Sequence, residues 1–199
     1  MTSCASAWRV AALSFVVTLL VWMVCAWPLP RYLTTAVPHA TARPAAASTS
    51  IDPMEPGDHL QLLYHFWLFR DMLAGGTPWF GNVYEFNLGS DAERREPGAY
   101  YFPFSLFFAV GDAIAGRAFG WNLASFCSLW LTVALTWLLS RRMEVPSRGA
   151  WLLAAFAICL PYRWHQLAGG SPTGFSMCWP PLLMLGLDLA VRKDRAIGG

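Results

Sequence analysis

Long stretches without a charged side chain set the terms for this chain. Residues 10–30, between Arg9 and Arg31, carry no charge, and neither do residues 118–140, between Arg117 and Arg141. Each is long enough to cross a hydrocarbon core about 30 Å thick as a single helix. Residues 149–162 form a shorter apolar run that ends at Pro161, Tyr162 and Arg163, and residues 166–187 are again uncharged. A fifth apolar stretch, Ala99 to Gly111 (AYYFPFSLFFAVG), is too short to span and reads as re-entrant or interfacial.

Composition points the same way. Charged residues make up 13% of the 199 and hydrophobic ones 56%, whereas a soluble domain carries roughly 25% charged residues. Intrinsic disorder needs the opposite balance and is excluded. The formal net charge is +2, and Lys193 is the sole lysine, so no basic surface calls for nucleic acid. Cys4, Cys25, Cys127, Cys159 and Cys178 show no CxxC or Cys/His ligand spacing. They read as small hydrophobes rather than as a disulfide framework or a metal site.

Arginine placement orients the spans. Arg141, Arg142 and Arg148 crowd the connection after residue 140, and Arg192, Lys193 and Arg195 follow the last apolar run. With both groups in the cytoplasm, span 118–140 runs inward, 149–168 outward and 172–191 inward. Residues 1–30 then form a retained signal-anchor with a cytoplasmic N-terminus, their apolar stretch being too long for a cleaved signal. Residues 31–117 become one long extracytoplasmic loop, and 118–199 a three-helix membrane region. The expected fold is all-α: a multi-pass protein of the plasma (inner) membrane with about four transmembrane helices.

Within the loop, residues 34–50 (TTAVPHATARPAAASTS) are a Pro/Ala/Thr/Ser linker. Asp58, with Gln61 three residues on, has the spacing of a helix N-cap. The spacing predicts a helix over 58–75, stopped by Gly75-Gly76 and Pro78. Leu62, Phe66, Phe69 and Leu73 fall on one stripe, with Leu63, Trp67 and Arg70 beside it. A helix apolar over so much of its girth is expected at the membrane interface. The re-entrant stretch, 99–112, is expected to return to the membrane surface with Tyr100 and Tyr101 as interface anchors.

Two groups of residues have the chemistry of a site. Asp52, Glu55 and Asp58 gather ahead of the interfacial helix; a carboxylate at a helix N-terminus is favoured in its charged form, which suits a general base or a metal ligand. The plain alternative is that Asp58 only caps its helix. The second group is LPYRWHQLAGGSPTGF, residues 160–175, where Arg163 and His165 interrupt an apolar context. An ionisable residue at such depth is a functional candidate, and Arg163 has the donors to hold a lipid-linked phosphate. Alternatively Arg163 snorkels to ordinary headgroups. His59 and His65 fall on nearly opposite helix faces, which argues against a shared metal. Asp188 is expected to pair with Arg192, four residues on.

The order of these parts resembles the GT-C superfamily of integral-membrane glycosyltransferases. The similarity lies in GDHLQLLYHFWLFRDMLAGGTPWFGN, AWLLAAFAICLPYRWHQLAGG and WPPLLMLGL, over about residues 50–190, and is closest in character to an uncharacterised bacterial membrane-protein group. It implies transfer of a sugar from a polyprenyl-phosphate-linked donor at the outer face of the membrane. Asp58 would be the catalytic base, while Arg163, His165 and Tyr101 would bind substrate. A divalent cation is an open cofactor. The oligosaccharyltransferase catalytic subunit carries a further acidic motif where this chain has GGSPTG, which weighs against a metal. Family members have more spans, so the chain is expected to be the N-terminal part of a larger protein. The expected partners are the lipid bilayer, the polyprenyl-linked donor and the remainder of that protein. The competing class is a non-catalytic membrane scaffold or lipid-binding protein, or an inactive fragment; a transporter is a third.

Overall fold

The computed structural model describes residues 4–38, 59–79, 81–84, 96–97 and 101–197. The elements are α1 (Cys4–Cys25), a 3-10 turn (Leu29–Tyr32), α2 (His59–Leu73), β1 (Gly81–Asn82), β2 (Glu96–Pro97), α3 (Phe104–Ala115), α4 (Arg117–Arg142), α5 (Ser147–Cys159), α6 (Pro161–Ala168), α7 (Pro172–Ser176) and α8 (Trp179–Ile197). The two short strands pair antiparallel, Gly81 opposite Pro97 and Asn82 opposite Glu96. Among the described residues everything else of regular structure is helical. Three segments among the described residues are long and apolar enough to cross a membrane: Ala7–Cys25, Arg117–Arg142 and Pro172–Arg192.

The expected outward span over 149–168 is not one helix. It divides into α5 and α6, with Leu160 extended between them (φ −61°, ψ 125°). Pro161 is the cause: it lacks an N–H to continue the α5 ladder, and it drives the residue before it out of the helical region. Pro161 then serves as the first residue of α6, where its missing donor costs nothing.

The chain falls into two compact units. The first holds residues 1–27, 126–165 and 173–199, and the second 28–125 and 166–172, so the division passes through α4 and α6.

In the first unit helix directions alternate. The indole N–H of Trp130 (α4) donates to Ser14 Oγ at 2.9 Å and to the Ala11 carbonyl at 3.2 Å, while Phe126, one turn earlier, meets Trp22 edge-on at 6.0 Å. α1 and α4 are therefore antiparallel. A short turn reverses the chain from α4 into α5, and Trp137 and Trp151 lie 5.2 Å apart across it. α8 runs parallel to α4, because Ser128 reaches Phe175 near its start and Arg142 reaches Asp188 towards its end. Asp188 accepts from Arg192 Nε at 2.8 Å, as the sequence spacing anticipates, and also from Arg142 Nε at 2.6 Å. Large apolar side chains such as Leu20, Val24, Leu152, Phe156, Leu183 and Leu187 stay exposed. Exposed apolar side chains in such number fit lipid rather than water.

In the second unit α2 packs on α3. Leu62, Phe66 and Phe69 of the expected stripe are buried, and Phe66 stacks at 5.6 Å on Phe108 and 5.8 Å from Trp121. Aromatic side chains of α3 and α4 cover this face of the helix. Only Leu73 of the stripe stays half-exposed. Gly75, at φ +80°, ends α2 in the left-handed conformation that glycine adopts without strain. Arg70 of α2 and Asp112 of α3 form an ion pair of 2.7 Å. α3 itself, within the stretch expected to be re-entrant, turns at Gly116 into α4. There Gly111 and Gly120 touch: a Cβ on Gly111 would come within 2.7 Å of the Gly120 Cα. Asn122 Nδ2 donates to the carbonyls of Leu33 (2.8 Å) and Ala36 (2.9 Å), fastening the segment that follows the 3-10 turn.

Candidate functional site

The break after α5 builds the site of most chemical interest. Carbonyls at the end of α5 lose their helical donors at Pro161. The Trp164 indole N–H turns back to take the one at Ile158, at 2.7 Å. The backbone N–H groups of Arg163 and Trp164 both donate to the Leu160 carbonyl, at 3.0 and 3.4 Å, which starts α6 at once. Held this way, Arg163 points inward and has no solvent-accessible surface.

One arm of its guanidinium, NH2, donates to Ser128 Oγ at 3.0 Å. That hydroxyl passes its own proton on to the Phe175 carbonyl at 2.6 Å. The Arg163 side chain is thereby tied to α4, and through Ser128 to α7. Cys178, also buried, donates weakly to the same Phe175 carbonyl at 3.8 Å. The other two nitrogens, Nε and NH1, are buried and have no hydrogen-bond partner. Among the described residues Arg163 forms no ion pair. A buried cation with donors left over is costly by several kcal/mol. A guanidinium with donors left open is the kind of group that pairs with a carboxylate or phosphate.

Of the other residues singled out from sequence, His165 does not join it. His165 is exposed and lies two positions on in the same helix, so the two side chains point to different faces. Tyr101 belongs to the second unit, where it is partly exposed at φ +47° and meets the buried His65 ring edge-on at 5.6 Å. Asp58, with Asp52, Glu55 and Tyr100, lies outside the described residues. Among the described residues no three His, Cys, Asp or Glu side chains gather as a metal site would require.

Sequence reasoning did not reach a second feature, in the second unit. Tyr64 and Trp67 of α2 lie 5.9 Å apart, and Trp67 meets Tyr84 at 5.2 Å. Hydrogen bonds pin these rings: the Tyr64 hydroxyl donates to Asn82 Oδ1 at 2.9 Å, and the Tyr84 hydroxyl to Asp71 Oδ2 at 2.9 Å. The bond to the Asp71 carboxylate, more than any desolvation, holds the Tyr84 hydroxyl above the ordinary tyrosine range. Leu63, Tyr64 and Trp67 with Arg117 line an open groove of about 320 Å³. Its signal in the sequence is the HLQLLYHFW run, in which the aromatics outnumber the positions one buried stripe can take.

No family model, curated protein or solved structure matches the chain. The chemistry has to be read from the geometry.

Proposed function

We propose that the chain is a GT-C-like glycosyltransferase, or the N-terminal part of one, that takes a sugar from a polyprenyl-phosphate-linked donor at the outer face of the membrane. The observation that carries this reading is Arg163. It is a fully buried guanidinium with Nε and NH1 unpartnered, set at a broken helix between apolar segments. Irregular backbone among membrane helices is tolerated where it is buried in protein or lines a cavity, and broken helices recur at ligand sites. A phosphate-bearing lipid supplies the anion that this arginine lacks.

The four-crossing arrangement goes with the proposal. α1 and α5–α6 run outward and α4 and α8 inward, which leaves the segment between α1 and α4 outside and the arginines of the α4–α5 turn in the cytoplasm. In this reading Asp58 acts as the base towards the acceptor hydroxyl and Arg163 holds the donor phosphate. The test is transfer of labelled sugar from polyprenyl-phosphate donors by the full-length protein in membranes. Asp58→Asn is expected to lower turnover by about a hundredfold or more, on the scale of a lost general base. Arg163→Gln is expected to abolish donor use while Arg163→Lys retains part of it. Unchanged turnover in both Asp58→Asn and Arg163→Gln would sink the proposal.

The complete burial of Arg163 also suits a non-catalytic lipid-binding protein. In that case Arg163→Gln would release a bound anionic lipid, and no donor would be turned over by the unaltered protein.

A further inference from the structure

Cys25 closes α1 and Cys159 closes α5. The two helices pack against each other. They also run in the same direction, since each is antiparallel to α4. Their buried stripes have the same spacing: Ser14, Thr18 and Trp22 in α1, and Ala150, Ala154 and Ile158 in α5. Small residues along such stripes let helix backbones approach closely. Each cysteine falls within a turn of the last buried residue, Cys25 after Trp22 and Cys159 after Ile158. Both thiols are free and exposed, whereas Cys127 and Cys178 are buried.

We propose that Cys25 and Cys159 are a modification site, oxidised to a disulfide that clips α1 to α5. The co-reactant is an extracytoplasmic thiol oxidase bearing a reactive disulfide. The Cys25 thiolate attacks one sulfur of that disulfide and breaks it, forming a mixed disulfide. The Cys159 thiolate then displaces the oxidase from the Cys25 sulfur. Two electrons pass to the oxidase, and the two thiol protons end on its pair of released thiols. The proposal rests on the outward direction of α1 and α5, because disulfides persist outside the reducing cytoplasm; it does not rest on sugar transfer. Cys159 stands two residues before Pro161, so the clip anchors the α5 side of the break that places Arg163.

The test uses the full chain in intact cells, blocked with N-ethylmaleimide and digested without reductant. The expected product is a Cys25–Cys159 linked peptide that disappears on reduction. A membrane-impermeant maleimide separates the clip from the direction of the helices. The unaltered protein should stay unlabelled from outside until reduced, while Cys25→Ser should label at Cys159 and Cys159→Ser at Cys25. Labelling of both cysteines from outside without reduction overturns the disulfide and leaves the helix direction standing. Labelling confined to inverted vesicles overturns both.

Discussion

The Arg163 guanidinium hangs on Ser128: its one hydrogen bond among the described residues is to that hydroxyl, at 3.0 Å. Ser128 is fully buried and simultaneously donates to the Phe175 carbonyl. Removing the hydroxyl by Ser128→Ala strips the cation of its partner and orphans a carbonyl, at a cost of about 1–3 kcal/mol. Replacing the cation by Arg163→Met removes a buried charge with a side chain of similar length, which is often neutral or stabilising. Thermal melting of the purified protein should therefore fall for Ser128→Ala and hold or rise for Arg163→Met. In the Arg163→Met background, Ser128→Ala should cost less. A large loss of stability in Arg163→Met would mean that the arginine is structural rather than held in reserve for an anion.

The turn from α3 into α4 depends on the absence of two side chains. A Cβ on Gly120 would meet the Phe108 carbonyl at 2.7 Å and the Asp112 nitrogen at 3.0 Å, both backbone atoms that cannot swing aside. Gly120→Ala should push the helices apart and cost roughly 1–3 kcal/mol, the usual range for overpacking. Gly116→Ala has open space around it but sits at φ +86°, so its cost is backbone strain of roughly 1 kcal/mol. Denaturation midpoints of the two variants should rank in that order.

These contacts mark where sequence reading stops. Spans are legible because crossing a bilayer depends on composition and length, which neighbours along the chain determine. Hence α1, α4 and α8 appear where the uncharged runs are. The stop at Gly75 and the Asp188–Arg192 pair are local rules and were equally legible. Pro161 announces the break after α5, yet an apolar run continuing on both sides conceals it. The burial of Arg163 depends on Ser128, 35 residues away, and no periodicity encodes that. The α2 stripe was readable, but that Phe108 and Trp121 cover it was not, because they lie more than 40 residues further along the chain. Asp58, proposed as the base, lies outside the described residues.

Arg70 and Asp112 join α2 to α3 at 2.7 Å, with the arginine side chain 41% exposed and the aspartate 12%. Solvent screens the arginine, so the pair is worth only about 0.5–1 kcal/mol. Arg70→Gln should cost about that much, and less at molar salt, where charges are screened within about 3 Å. Asp112→Leu leaves the arginine free to extend into water and should cost no more. If either variant instead unfolds the α2–α3 pair, as read by hydrogen exchange of α3 amides, the ion pair outweighs the aromatic packing of Phe66 on Phe108.

Among the described residues Tyr84 offers the one clear pH signature outside the apolar helices. Its hydroxyl donates to the Asp71 carboxylate, and removing its proton would set two negative charges together, so its pKa in the folded chain lies above the ordinary value. A group whose folded pKa is raised stabilises the fold fully below its unfolded pKa, about 10 for tyrosine. That contribution is lost as the pH rises through the higher folded value. The Tyr84–Asp71 tie should therefore be intact throughout neutral pH and fail only in strong alkali. Tyrosinate absorbance should show one tyrosine titrating late in the unaltered protein and moving down towards the ordinary range in Asp71→Asn, where the amide accepts a weaker bond and carries no charge. Because Tyr84 also backs Trp67, the same alkaline transition should move the fluorescence of that indole. Identical titrations for the two proteins would show that Asp71 does not hold the Tyr84 proton.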